Sequence, residues 1–235
     1  HRLGRMEIGE TRETAIELGC AFKGLYGALY AYNGDVERAR KDDHVDAFGL
    51  SAGYAYEGRG MKMDLGADYI NNILDSNGLT DILEGLREEA EGLDYTLDLK
   101  DYVPGLAAHA VLEAGPFTLT GEYVVMLEDP EFVSAIDDPD LLADLGLSET
   151  SEMDAITAWS SELACGFDLA GRKTTVAAGY QGMDNGGEYY PERRMLAGVS
   201  MEIFKHATCA LEYRHDTYEN DDTESQVTAK LALEF

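Results

Sequence analysis

Basic residues are scarce in this chain and never clustered. Against 46 Asp and Glu there are 18 Lys and Arg in 235 residues, a formal charge of -28, and no basic run exceeds two residues. Phosphate backbones are bound by concentrated Lys/Arg surfaces, so nucleic acid is excluded as a partner. Electrostatic attraction to anionic headgroups is excluded on the same ground. Long apolar runs are also missing, which rules out a membrane helix of about 20 apolar residues. The three cysteines, Cys20, Cys165 and Cys209, form no CxxC pair, so neither a disulfide framework nor a zinc site is indicated and free thiols are expected. The chain starts at His1 with no initiator Met and no basic-then-apolar leader, as a processed protein or a fragment does. A hydrophobic content of 45% is that of a folded chain, so the acidity does not imply disorder. The length allows one large or two small domains.

What is present is a period of two. Val227, Ala229, Leu231, Leu233 and Phe235 alternate with Thr228, Lys230, Ala232 and Glu234, the mark of a strand with one apolar face. The pattern recurs at Ile16, Leu18, Cys20 and Phe22, at Met61, Met63, Leu65, Ala67 and Tyr69, at Phe117, Leu119, Gly121, Tyr123 and Val125, and at Met195, Ala197, Val199, Met201 and Ile203. Fainter copies run through 25–33, 46–56, 105–113, 155–168, 174–183 and 208–215, about 11 strands in all. Such strands cross a membrane with about 10 residues each, and averaged hydropathy misses them.

The connections alternate in length. Short links at Lys23-Gly24, 57–60, 113–116, 169–172 and 204–207 are turn-forming, and between them lie long links at about 34–45, 71–102, 127–154, 184–192 and 216–224. Tight turns at one end and long loops at the other define an outer-membrane barrel with extracellular loops. The expected fold class is therefore all-β, a transmembrane antiparallel up-and-down barrel of the outer-membrane type, with residues 1–235 as a single barrel domain and strands from about residue 14. A soluble lipocalin-like barrel holds about 8 strands around one ligand, fewer than are seen here. Aromatic residues towards strand ends on the apolar face, Tyr54, Tyr56, Tyr69, Phe117, Phe167 and Phe235, match headgroup-level girdles.

The polar face mixes small residues, Ala47, Gly49, Ser51 and Gly53, with charges, and reads as a wet lumen wall. The lumen-facing candidates are Glu17, Lys23, Lys62, Asp64, Asp68, His109, Glu122, Glu162, Glu202, Glu212, Arg214 and Lys230. Because these are mainly acidic, a modest cation preference is expected. Strand parity adds a constraint. The first strand starts on the long-loop side and the last ends on the short-turn side, an odd number, whereas bacterial single-chain barrels have even numbers. The expectation is an incomplete N-terminus, with further strands preceding residue 14 or supplied by another chain.

Several segments carry a family resemblance. GETRETAIELG at 9–19, AYNGD at 31–35, VPGLAAHAVLEAGPFTLTGEYV at 103–124, TTVAAGYQGMD at 174–184 and the closing LALEF resemble the LbtU family of siderophore porins. The resemblance runs through nearly the whole chain in ordered blocks of strands and short turns, while the loops do not visibly match. It implies an outer-membrane barrel implicated in ferric siderophore uptake, with an N-terminal portion that this chain lacks. It carries over no ligand residue. The terminal Phe235 also resembles the signal read by barrel-assembly machinery.

Other constellations are weighed against plainer readings. Asp75-Ser76-Asn77-Gly78, with Asp81, resembles part of a calcium loop without the full spacing, and Asp75, Asn77 and Asp81 are the metal candidates. The acidic loops around them also read as a solvated surface, or as a means of drawing cations to the mouth and bridging lipopolysaccharide through divalent ions. Leu79, Ile82, Leu83 and Leu86 have helical spacing, as in a short helix capping or plugging the mouth. Gly49-Leu50-Ser51-Ala52-Gly53 matches G-x-S-x-G, yet that motif needs a strand-to-helix elbow and here lies within a strand. Asp42, Asp43 and His44, with His215 and Asp216, could form a water-activating group at the rim. The three cysteines fall on lipid-facing registers.

The resulting expectation is a porin-like channel in the outer membrane of a Gram-negative bacterium, not an enzyme. It would pass a small solute, or a ferric siderophore or other metal complex, by diffusion. No cofactor is expected beyond loop-bound divalent cations. Outer-membrane lipid, lipopolysaccharide, barrel-assembly machinery, and further strands or a second copy of the chain are the expected partners. The alternatives are a rim hydrolase or protease and a structural anchor with acidic loops.

Overall fold

The computed structural model of the chain describes residues 15–34, 36, 47–76, 79, 97–134, 150–187 and 190–233. Eleven long strands form one antiparallel sheet. They are β1 (Ala15–Phe22), β2 (Leu25–Tyr32), β3 (Ala47–Gly58), β4 (Met61–Ile70), β6 (Gly105–Ala114), β7 (Phe117–Met126), β10 (Thr157–Leu169), β11 (Arg172–Asp184), β12 (Arg193–Phe204), β13 (Ala207–Thr217) and β14 (Thr223–Leu233). Each pairs with its neighbours in chain order, with β1 and β14 as the two edges. Three short strands, β5 (Leu97–Leu99), β8 (Glu131–Ser134) and β9 (Thr150–Glu152), make a second antiparallel sheet from the two longest connections.

The short connections are two-residue hairpins. Lys23-Gly24, Arg59-Gly60 and Ala170-Gly171 have positive φ at both positions, the geometry whose twist matches that of flanking strands. Gly in second place meets this requirement at no steric cost. The β12–β13 connection differs. His206 alone has φ of 69°, and the register shifts between Glu202 and Phe204, a local irregularity of bulge type.

One face of the large sheet is an apolar belt. Leu18, Leu29, Leu50, Leu65, Leu119, Leu163, Val199, Leu211 and Leu231 are all exposed, and each sits on the register opposite the charged residues. In water so large a patch would drive association; in lipid it is the expected outer wall. Rings gather at both ends of that face. Phe48 lies 6.4 Å from Tyr69, and Trp159 lies 5.1 Å from Tyr180, near the loop end. Phe22, Phe117, Phe167 and Phe204 stand near the turn end.

The buried core lies on the other face, at the loop end. Val36, Ile73, Leu74, Leu79, Leu99, Val103, Phe132 and Ile156 from the connections pack with Met126, Ala158 and Met183 from the strands. Each fully buried large side chain there stabilises by roughly 1.5–3 kcal/mol relative to exposure. The long connections therefore fold inward over the sheet's polar face at its loop end.

Candidate functional site

Antiparallel register fixes what shares the inner face. Tyr30 pairs with Glu17 and Gly49, Asp68 with Ser51 and Ala107, Glu122 with His109 and Ser160, and Arg214 with Leu196 and Gln226. By the same pairing Lys62, Asp64, Glu162, Glu202, Glu212 and Lys230 stand on this face. Carboxylates outnumber Lys and Arg along it.

Two groups of charges are organised differently. Near β2, β4 and β6, the Tyr26 hydroxyl donates to Asp64 Oδ1 at 2.8 Å and lies 3.4 Å from His109 Nε2, which is 3.8 Å from Asp64. Near β12–β14, Asp216 is fully buried and takes both ends of the Arg194 guanidinium, at 2.7 and 2.9 Å, together with Arg214 Nε at 3.1 Å. Arg214 also lies 3.8 Å from Glu224, and Lys230 3.5 Å from Glu212. With Arg194, Arg214 and Lys230 set against Asp216, Glu224 and Glu212, that part of the wall is a charge-paired network.

Glycines opposite the rings shape the wall. Tyr30 faces Gly49 across the ladder, Tyr26 faces Gly53 and His109 faces Gly66. A Cβ at Gly49 would lie 2.2 Å from the Tyr30 ring, one at Gly53 2.2 Å from the Tyr26 ring, and one at Gly66 2.2 Å from the His109 ring. The rings therefore lie down against backbone instead of standing into the lumen. On the outer face Trp159 lies over Gly182 in the same manner.

At the loop end the segment after β4 turns inward through a 3-10 turn, Ile73–Asp75. The Ile73 amide donates to the Val103 carbonyl at 2.8 Å, and Asn71 Oδ1 accepts from the Phe48 amide at 2.6 Å. Asp75 is the hub. It is buried and accepts the Val36 amide at 2.9 Å, Asn72 Nδ2 at 3.1 Å and the Tyr32 hydroxyl at 3.4 Å. Further out, Lys100 is hydrogen-bonded to Glu131, and that carboxylate holds the exposed ammonium above the usual lysine range.

Some expected site residues take other places. Lys23 occupies the β1–β2 turn and not the inner wall, because its positive φ belongs to the hairpin; its ammonium lies 5.0 Å from the ring of outward-facing Phe22. Asp75 anchors backbone where cation binding was expected, and Asn77 and Asp81 lie outside the described residues. Phe235, Asp42, Asp43, His44 and most of the 79–91 segment lie outside them too. His215 and Asp216 are neighbours in β13 and so point to opposite faces, His215 Nδ1 meeting Ser225 Oγ at 2.9 Å. The G-x-S-x-G stretch lies within β3 and not at a strand-to-helix elbow. Cys20, Cys165 and Cys209 are on the outer register, free of disulfides. The inner tyrosines Tyr26, Tyr30 and Tyr32 are not among the sequence-based candidates; their signal is a second, even-numbered stripe in LYGALYAY, with Tyr26 and Tyr30 opposite glycines in β3.

Together these features define an outer-membrane-type antiparallel β-barrel wall, lipid-compatible outside and charged inside, with its loop end filled by an apolar core. No family model matches the chain. It is 27% identical over 214 residues to a UPF0422 protein of Coxiella burnetii, covering 89% of this chain and 42% of that protein. It is also similar in structure to the outer membrane channel DcaP of Acinetobacter baumannii, with TM-score 0.52 and 11% identity over 95% of this chain and 62% of that one. A weaker likeness, TM-score 0.38 at 9% identity, is to the NanC porin, covering 95% of this chain and 93% of that one. The chain thus spans less than half the length of the Coxiella relative and under two thirds of DcaP.

Proposed function

We propose that the chain is part of the wall of a diffusion channel in the outer membrane of a Gram-negative bacterium, and that it performs no catalysis. The observation that carries this reading is the two-sided wall, apolar side chains outside and a charged, tyrosine-lined surface inside. Ionisable residues such as Asp64, Asp68, Glu202 and Lys230 at inner registers suit a polar, water-accessible interior. The solute is a small molecule, with a ferric siderophore or other metal complex as the class suggested by the LbtU resemblance. Physics limits that class. An acidic wall favours cations, so a complex of net negative charge needs specific contacts, for which Arg194 and Arg214 would serve alongside their pairing with Asp216. The acidic loops fit divalent-cation bridges to lipopolysaccharide, and the barrel would be inserted by the assembly machinery.

The experiment is a liposome swelling assay with the full-length protein and neutral sugars of increasing size. Size-dependent swelling supports the channel. A second reading, a closed surface anchor, draws on the apolar core at the loop end; it predicts no swelling with any sugar. The rim-enzyme reading finds no support in His215 and Asp216, which face opposite sides.

A further inference from the structure

We propose that the inner wall holds a binding site for a small organic cation with an apolar body, where β2, β4, β6 and β7 meet the 71–76 segment. A cavity of about 320 Å³ opens there, within the size range of small-molecule sites. Its charged group is Asp68, its aromatic group is Tyr30, and Ile70, Ile73, Ala107 and Val124 give it apolar surface.

The chemistry follows from what Asp68 lacks. It is half-buried, and among the described residues no hydrogen bond or ion pair reaches its carboxylate. Nearby carboxylates are engaged, Asp64 by Tyr26 and His109, and Asp75 by Val36, Asn72 and Tyr32. A carboxylate partly removed from water attracts a cation, and an opposite charge within about 4–6 Å stabilises its ionised form. Tyr30 adds a ring at which a cation is also favoured. The remaining apolar surface disfavours a hydrated metal ion, since hard divalent cations take 6 or more oxygen ligands and a single carboxylate serves this cavity. An ammonium group on a compact apolar or aromatic body satisfies both halves. This ligand class refines the proposed channel and rests on it for the route to the site, while binding itself needs no conduction.

The test is calorimetric titration of the full-length protein, folded in detergent, with benzylammonium, its neutral analogue benzyl alcohol and the anion benzoate. Benzylammonium is expected to bind about tenfold or more tightly than benzyl alcohol, with no binding of benzoate. D68N should abolish the preference for the cation, and A107W, which fills the cavity without changing charge, should abolish binding of both. The three-ligand comparison on the unaltered protein decides the matter even where a variant does not fold. Equal affinity for cation and neutral analogue, no binding of either, or a preference that survives D68N overturns the proposal. A protein that binds benzylammonium but is silent in swelling assays refutes the channel alone; one that swells vesicles but binds no ammonium refutes the site alone.

Discussion

Replacing Asp75 by alanine removes the acceptor that ties the mouth segment to Tyr32 and Val36 and braces it internally through Asn72. Two of its hydrogen bonds, from the Val36 amide at 2.9 Å and Asn72 Nδ2 at 3.1 Å, have good geometry, while that from Tyr32 at 3.4 Å is long. Hydrogen bonds to a charged group contribute about 1.5–3 kcal/mol each. Counting the two short bonds at the lower value, because water can reach the donors once the segment opens, gives a loss of about 3 kcal/mol. That is roughly a hundredfold increase in the open fraction of the segment. The loss is local, since the long strands stay laddered to their neighbours. Amide hydrogen exchange reads it directly, because exchange reports local opening free energy. In D75A the Ile73 and Ser76 amides, bonded to the Val103 and Ile73 carbonyls, should exchange about a hundredfold faster, with amides at the middle of β10 and β11 unchanged. D75N, which keeps one acceptor oxygen, should fall between. Exchange at Ile73 within about threefold of the parent protein would refute the hub assignment.

Other perturbations follow from the same geometry. D216A leaves Arg194 and Arg214 facing each other around a buried gap and should destabilise the folded protein by about 3–5 kcal/mol in urea unfolding from vesicles, with R194Q/R214Q restoring part of it. G49A should cost about 1–3 kcal/mol by overpacking and be relieved by Y30A, since the three nearest atoms to the added Cβ all belong to the Tyr30 ring and hydroxyl. G53A should not be relieved by Y26A, because the Leu65 carbonyl oxygen remains 2.6 Å away; equal rescue at both positions in a double-mutant cycle contradicts the packing described. L163R, on the outer face of β10, should cost about 2–4 kcal/mol in bilayers, whereas T120R on the inner face should leave folding nearly unchanged.

How much of this was legible depends on where the burial signal lies. β14 and β12 could be read from alternation alone, because lipid demands one apolar face over the full strand and the turn residues punctuate it. The three short strands β5, β8 and β9 could not, since three or four residues in an acidic loop are too few to show a period. The apolar core was hidden for a related reason. Ile73 and Leu99 stand 26 residues apart in one connection and Phe132 and Ile156 stand 24 apart in another, and Val124, Met126 and Met183 are isolated apolar residues on an otherwise polar register, so no local window contains the cluster. The tyrosines were harder still. A girdle tyrosine and a lumen tyrosine have the same composition, and only the cross-strand glycines Gly49 and Gly53 separate them, which requires the β2–β3 register. Lys23 shows the converse limit, where parity placed a residue on the wall and hairpin geometry took it off.

Charge placement connects these parts to function. The acidic and tyrosine-lined strands β2, β4 and β6 and the arginine-bearing strands β12 and β13 are far apart in sheet order, so the inner face presents two chemically different surfaces. The inward-folded segment at 71–76 lies next to the first of them, with the Asp68 cavity between.

The most direct test of the proposed channel is the reversal potential of the full-length protein in a planar bilayer under a KCl gradient. The expected result is open-channel current with a reversal potential on the cation-selective side, short of ideal selectivity because Lys62, Arg214 and Lys230 interrupt the acidic wall. A silent membrane, or a reversal potential on the anion-selective side, would contradict it.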